Sequence, residues 1–298
     1  MRSGAPDHVV QPRCPWLIFI GSSLAATLTG CWVAAAHGAP ASSWALNIAA
    51  WGVGALVAAV ISRGGLGLGR WWPTLSLLGL AATFLSPGLS GVHRWIQLGP
   101  VRLNGAELFL PAMIVTLAAR RRSPLVTLLV PVAAMIVLAW QPDASQAAAL
   151  AGGSIVAMTV VDGNRPRRIV GALLFVALAV VACLRHDPLA PVPYVEGIIQ
   201  LAAAASVLAA GLAVVGLAGA ALAPLLLARL GSTAEDFTPL KAAAYGLTTY
   251  LAVSAAAPAF GAFPVPLVGM GVSPILGVWI GFGCLMALSR RSPGLAVS

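Results

Sequence analysis

The sequence predicts an all-α, polytopic membrane protein, and three observations support this fold class. Hydrophobic residues make up 59% of the chain and charged residues only 8%, and the mean hydropathy is +0.94. So few polar side chains could not cover a soluble globule of 298 residues. The hydrophobic residues also form continuous runs rich in Ala and Leu, which favour helices rather than the alternating strands of a membrane β-barrel.

A transmembrane helix needs roughly 20 apolar residues, and reading for such runs gives ten segments, several of which are short. We place the spans near residues 16–36, 43–62, 71–87, 106–119, 124–140, 146–161, 169–184, 197–228, 242–260 and 272–288. The eighth run is too long for one perpendicular crossing, so we expect that helix to tilt or to project from the membrane. The spans together predict a single integral membrane domain over residues 1–298, with tails at 1–15 and 289–298.

The distribution of basic residues predicts the orientation of these spans. If the N-terminus is cytoplasmic and ten spans alternate, 14 of the 17 Lys and Arg residues are cytoplasmic, and Arg94, Arg102 and Arg185 lie outside. The positive-inside rule favours this orientation, with both tails cytoplasmic. Basic loops that face anionic lipid headgroups also account for the net charge of +9, so no nucleic-acid partner is needed to explain it.

The first apolar run contains the sequence "LTGC", which ends at Cys31 and resembles a lipoprotein cleavage site. The run continues past Cys31 through "WVAAA", which favours a first transmembrane helix over a cleaved signal. The four cysteines are dispersed along the chain, so their spacing predicts neither a disulfide framework nor a metal site.

Charged residues on the predicted outer side define a candidate site. They are Arg94, Arg102, Arg185, Glu107, Asp143, Asp187 and Glu196, together with His37, His93 and His186. Ionisable groups at the ends of spans commonly line a polar cavity or pair with each other, because a charge in hydrocarbon is costly. The alternative for each of them is a solvated interfacial side chain.

Breaks in the helical pattern on the same side favour a cavity. Pro142 tends to end or kink a helix beside Asp143, and residues 263–277 are rich in Pro and Gly. Irregular backbone at membrane depth is tolerated where it is buried in protein or lines a wet cavity. We therefore expect Arg94, Glu107 and Asp143 to surround one outward-open cavity.

Three elements resemble signatures of a known family. They are "RWIQLG" at 94–99 followed by "AEL" at 106–108, "QPD" at 141–143, and "FPVPLVGMGVSPILG" at 263–277. In this order, at the fourth, fifth and tenth spans, they resemble the SEDS family, the FtsW/RodA/SpoVE membrane proteins of bacterial cell division and cell shape. The resemblance covers most of the chain and implies a SEDS-like helical bundle in the bacterial cytoplasmic membrane.

The resemblance also implies an activity, which is peptidoglycan glycosyl transfer from undecaprenyl-linked lipid II at the outer face of the cytoplasmic membrane. The candidate partner is a single-span transpeptidase, a class B penicillin-binding protein, and membrane lipids surround the chain. Arg94, Glu107 and Asp143 match family positions, and we assign them with Arg102 to substrate binding. Guanidinium groups suit a pyrophosphate, since each can bind two phosphate oxygens. No cofactor motif is present, and a divalent cation bound with the pyrophosphate is left open.

The predicted catalytic residues lie between the seventh and eighth spans, where the family has a long loop and this chain has only residues 185–197. Glu196 occupies roughly the site of the family's catalytic aspartate. We predict that Glu196 is the base, because partial desolvation at the mouth of span eight would raise its pKa. Asp187 is second, since Arg185 and His186 could hold it as an ion pair, whereas Glu107 and Asp143 are expected to pair with Arg94 and Arg102.

Departures from the family pattern keep two other functions open. The shortened loop and the loss of the family's motif around its catalytic aspartate favour a catalytically degenerate SEDS relative that binds a partner or lipid as a scaffold. A transporter of a lipid-linked precursor is the other alternative. It would be expected to carry polar residues deep in several spans, and few are seen.

Overall fold

The computed structural model describes residues 13–64, 71–119, 124–230 and 238–290. These residues form eleven α-helices and one β-hairpin. The helices are α1 (Arg13–Ala36), α2 (Ala41–Ser62), α3 (Trp72–Ala82), α4 (Gly105–Ala118), α5 (Pro124–Trp140), α6 (Ala144–Val161), α7 (Arg165–Leu184), α8 (Ile198–Ala205), α9 (Val207–Leu230), α10 (Thr238–Ala256) and α11 (Val272–Ser289). The hairpin pairs β1 (Trp95–Leu98) with β2 (Val101–Asn104).

The predicted fold class, an all-α polytopic membrane protein, is confirmed. Each of the ten predicted segments contains at least one helix, and six of the described helices (α1, α2, α6, α7, α9 and α11) are long and apolar enough to cross a membrane. Shorter apolar helices, α3, α4 and α5, occupy three further segments. The number of crossings stays a prediction, and most residues of the two predicted tails lie outside the described residues.

The long eighth segment is broken rather than simply tilted. It divides into α8 and α9 at Ser206, whose backbone is extended with φ −169° and ψ 151°. The Ser206 hydroxyl accepts a hydrogen bond from the backbone nitrogen of Ala209 at 3.0 Å, which caps the start of α9. The two helices can therefore run in different directions, and α8 begins directly after Glu196 and Gly197.

The β-hairpin before α4 was not predicted. Its strands are antiparallel, with Gln97 opposite Arg102, and its turn contains Gly99 at φ +59°, in the left-handed region that glycine adopts at little cost. The last hairpin residue, Asn104, starts α4, because its side-chain oxygen accepts from the backbone nitrogens of Ala106 (2.9 Å) and Glu107 (3.3 Å). This cap fixes Glu107 in the first turn of α4.

Small residues allow α11 to approach its neighbours closely. α11 packs against α2 and α4, α10 packs against α6 and α9, and α1 packs against α9. A Cβ atom at Gly277 of α11 would lie 1.9 Å from the carbonyl oxygen of Glu107, and one at Gly281 would lie 2.7 Å from the Cβ of Pro111. The contact between α11 and α4 therefore requires glycine at these positions, as in other close helix pairs in membranes.

Gly277→Ala should destabilise the protein by about 1–3 kcal/mol, the usual cost of overpacking a tight contact. The added methyl group would force α11 away from α4 at the backbone of Glu107. The thermal unfolding midpoint in detergent measures this effect. Gly52→Ala in α2 is the matched control, because a Cβ there meets no atom within 4 Å. Equal midpoints for the two variants would show that α4 and α11 do not pack in this way.

Candidate functional site

A cavity of about 580 Å³ opens at one end of the helices, and all six predicted site residues line it. Its wall comprises the hairpin region, the starts of α4 and α6, the loop at residues 185–197, and residues 262–265 and 269–274. The six residues are Arg94, Arg102, Glu107, Asp143, Asp187 and Glu196. They come from regions far apart in the sequence, and their chemical roles stay predictions.

The Pro- and Gly-rich segment before α11 forms part of this wall and is non-helical, as its sequence indicates, over residues 260–271. A buried amide on α2 holds it in place. The Asn47 side chain donates from Nδ2 to the carbonyl oxygen of Gly269 (2.9 Å) and accepts at Oδ1 from the backbone nitrogen of Gly271 (3.1 Å). Sequence reasoning missed Asn47, although a lone amide within an apolar span was a usable signal.

The loop at residues 185–197 is attached to the same segment. The backbone nitrogen of Val265 donates to the carbonyl oxygen of Val195 at 3.2 Å, and that of Met270 donates to Tyr194 at 2.9 Å. The Tyr194 hydroxyl also donates to the carbonyl oxygen of His37 at the end of α1, at 2.8 Å. These bonds place Glu196 at the cavity wall.

Arg94 is the central cation of the site, and only 11% of its side chain is exposed. Its Nε donates to the carbonyl oxygen of Gln141 at 3.0 Å, and its Nη2 donates to the carbonyl oxygen of Pro142. The same Nη2 makes an ion pair with Asp187 Oδ2 at 2.7 Å, and Asp143 Oδ2 lies 3.9 Å from Nε. Arg94 directly precedes β1, so its guanidinium connects the start of the hairpin to the turn between α5 and α6 and to the loop at 185–197.

Two expected ion pairs differ from the observed contacts. Asp187 pairs with Arg94 rather than with Arg185, whose guanidinium lies over the Trp140 ring at 5.8 Å from its centroid. Arg102 donates to the side-chain oxygen of Gln97 at 3.0 Å, because the hairpin register places these residues opposite each other. The pair between Arg94 and Asp143 is present, although its 3.9 Å separation makes it long.

Asp143 is buried and caps α6. Its Oδ1 accepts from the backbone nitrogen of Gln146 and from the hydroxyl of Ser145, each at 3.3 Å. The side-chain oxygen of Gln146 in turn accepts a hydrogen bond from the Tyr250 hydroxyl on α10. The sequence pattern gave no indication of this Gln146–Tyr250 pair, because the two residues are 104 positions apart.

Glu107 is the least satisfied of the four carboxylates. It is 8% exposed, and its carboxylate accepts no hydrogen bond from the residues that the structure describes. The sequence suggested Arg102 as a partner for Glu107, but this pair is absent because the Arg102 side chain is turned towards Gln97. A buried acceptor that has no hydrogen-bond partner and faces a cavity is available to a ligand.

Glu196 is half-buried, and its Oε2 accepts a hydrogen bond from the backbone nitrogen of Val192 at 2.7 Å. Burial raises the pKa of Glu196 above its ordinary value, the backbone hydrogen bonds lower it, and the nearby charge of Asp187 raises it further. The net direction is upward, so this carboxylate binds a proton more readily than a solvated glutamate.

Among the described ranges, no group of three or more His, Cys, Asp or Glu side chains could hold a metal ion. A second cavity of about 550 Å³ lies between α8, α9 and α10, and its lining contains no titratable side chain. Acid–base chemistry is therefore confined to the first of these two cavities.

The fold and site define a polytopic helical membrane protein with a charged cavity at one end of its helices. This is the fold of RodA. The chain is similar to the crystal structure of the rod shape determining protein RodA of Thermus thermophilus, with a TM-score of 0.65, 18% identity, and coverage of 91% of this chain and 95% of RodA. A mutant of the same RodA gives the same TM-score and identity, with 91% and 96% coverage.

A chain from a peptidoglycan synthase complex is also similar, with a TM-score of 0.60, 23% identity, and coverage of 92% of this chain and 97% of that chain. That complex coordinates polymerization and crosslinking. No protein-family model and no curated protein matches the sequence. The SEDS-like fold predicted from the three sequence elements is therefore confirmed at the level of the fold.

Arg94→Gln should lower the free energy of unfolding by about 3 kcal/mol or more, because it leaves buried Asp143 without its cation. Denaturation in detergent measures this loss. Arg102→Gln, on the exposed hairpin, is the matched control and should change stability by less than about 0.5 kcal/mol. A smaller loss for Arg94→Gln than for Arg102→Gln would contradict the central place given to Arg94.

Proposed function

We propose that this chain is a SEDS-like protein of bacterial cell-wall synthesis, acting in cell division or cell shape as a peptidoglycan glycosyltransferase. Its substrate would be undecaprenyl-linked lipid II, bound at the outer face of the cytoplasmic membrane. The observation that carries the proposal is the gathering of Arg94 and four carboxylates in one cavity of a RodA-like fold. A single integral membrane domain with both termini cytoplasmic belongs to the same proposal.

The reaction needs one proton acceptor and a stabilised leaving group. The acceptor sugar hydroxyl attacks the anomeric carbon of the donor, and a carboxylate takes the hydroxyl proton. The bond from that carbon to the pyrophosphate oxygen breaks, and the electron pair leaves with undecaprenyl pyrophosphate. Cationic groups stabilise the charge that develops on the pyrophosphate.

We assign the proton acceptor to Glu196, with Asp187 second. Glu196 is half-buried, lines the cavity and has a raised pKa, which are properties of a general base. The carboxylate of Asp187 is engaged by Arg94 at 2.7 Å, so its oxygen is less available to a substrate hydroxyl.

The remaining cavity residues are assigned to substrate binding. Arg94 and Arg102 would contact the pyrophosphate, while Glu107 and Asp143 would bind sugar hydroxyls or position the two arginines. A divalent cation brought by the pyrophosphate would also suit this site. It would not need three protein ligands, because Mg²⁺ often binds through one or two carboxylates plus substrate phosphates.

The partner would be a single-span transpeptidase of the class B penicillin-binding proteins. The similar chain from a peptidoglycan synthase complex supports this assignment. A catalytically degenerate relative that acts as a partner-binding or lipid-binding scaffold is the second candidate, and the short loop at residues 185–197 favours it. The precursor transporter has less support, because the charged groups described above cluster at one end of the helices rather than along a path.

Glycan synthesis from labelled lipid II by the purified chain with its transpeptidase partner tests the enzyme. Glu196→Gln should reduce the rate by about 10²-fold or more, as expected for loss of a general base. Because a base must be deprotonated and the pKa of Glu196 is raised, the rate should fall on acidification at a higher pH than an ordinary carboxyl would give. Full activity in Glu196→Gln and Asp187→Asn would reject both assignments, whereas an inactive parent protein would favour the scaffold.

Cysteine labelling in intact cells tests the orientation. With the native cysteines replaced, a cysteine at exposed position 165 should be protected from a membrane-impermeant reagent, and one at exposed position 190 should react. The basic residues at the start of α7 are the reason for this expectation. The opposite labelling pattern would place the cavity in the cytoplasm and overturn the lipid II assignment.

A further inference from the structure

Asp187 makes an ion pair with Arg94 that an anionic ligand could also make. Nε and Nη2 of Arg94 are already used, by Gln141, Pro142 and the Asp187 carboxylate. We propose that Asp187 is a displaceable internal substitute for a substrate phosphate, and that a polyprenyl diphosphate binds by replacing it on Arg94. This inference rests on the proposed function, because it names how the anionic part of that substrate is bound.

The contacts around Arg94 differ in how firmly they are held. Gln141 is buried, and its side chain donates to the Thr83 hydroxyl at 2.6 Å, so the turn between α5 and α6 is held against the residue that follows α3. Asp187 is 34% exposed, and within the described part of the chain its other oxygen accepts only from the backbone nitrogen of Leu189, two residues along the same loop. Asp187 can therefore leave Arg94 without disturbing the backbone acceptors that orient the guanidinium.

The exchange conserves the chemistry of the contact. Carboxylate and phosphate oxygens are both strong acceptors for a guanidinium. When no ligand is bound, Asp187 keeps a mostly buried cation paired, which avoids the cost of an uncompensated charge. When a diphosphate binds, its oxygens take over that pairing and the carboxylate moves towards solvent.

The charge of the cavity favours this displacement. Among the residues that the structure describes, its wall holds four carboxylates and two guanidinium groups, and Arg102 lies on the exposed hairpin. A diphosphate that entered while Asp187 remained on Arg94 would meet an arginine already neutralised and three further acidic groups. Asp187 is therefore an affinity-determining residue, and its charge opposes binding of the anionic substrate.

Binding of undecaprenyl pyrophosphate to the full-length chain, without an acceptor sugar, tests this role. Asp187→Asn keeps the shape and removes the charge, so it should lower the Kd by about tenfold, the effect of weakening one charge-assisted hydrogen bond. Asp162→Asn is the matched control, because it removes a carboxylate that also pairs with an arginine, Arg167 at 3.4 Å, but does not line the cavity. It should change the Kd by less than about threefold. Arg94→Gln should abolish binding.

The outcomes separate this inference from the proposed activity. Tighter binding by Asp187→Asn than by the parent and Asp162→Asn supports it even if no glycan is made, whereas equal Kd values for the parent and both variants would overturn it even in an active polymerase. Absence of binding by all forms, with native thermal unfolding, would also overturn it. Inorganic pyrophosphate, tested in parallel, should give the same order of Kd values among the variants if the phosphate groups alone displace Asp187. Unchanged Kd values for both anions in Asp187→Asn would reject the proposal.

Discussion

The cavity depends on a single guanidinium that is almost removed from solvent. Arg94 lies next to β1, and its nitrogens bind the turn between α5 and α6 and the loop that leads to α8. Each contacted segment is irregular backbone, which a helical membrane protein must stabilise by contacts between segments. A cation with several donors in a fixed plane can bind two carbonyl oxygens and a carboxylate together, which a lysine ammonium does less well.

Hydrogen bonds from isolated polar residues complete the support of this region. Asn47 holds the segment before α11, Ser273 accepts from the backbone of Asn104 at 2.7 Å, and Gln146 accepts from Tyr250 beside Asp143. Each of these side chains lies in or beside an otherwise apolar helix. The site is therefore assembled from charges that face the cavity and neutral polar groups that hold the backbone behind them.

Sequence reasoning identified the helices and the cavity residues because both leave strong local signals. Apolar runs define the spans, and the rare charges beside them stand out against a chain with only 8% charged residues. It missed the hairpin, since two four-residue strands are too short for their alternation to be recognised. The break at Ser206 was missed because serine is tolerated within helices, and the partner of Asp187 was wrong because neighbours in sequence were favoured over Arg94, 93 residues away.

The bonds of Asn47 have a consequence for the order in which the protein matures. Its acceptor and donor lie 222 and 224 residues later, in the segment that immediately precedes α11. While the chain emerges from the ribosome, α2 must enter the bilayer with a polar amide that has no permanent partner, and such a group is unfavourable in hydrocarbon. These two bonds to the cavity wall can form only after residues 269–271 have been synthesised. Synthesis beyond residue 271 is therefore a precondition for a formed site, and a shorter nascent segment would leave the Asn47 amide unpaired.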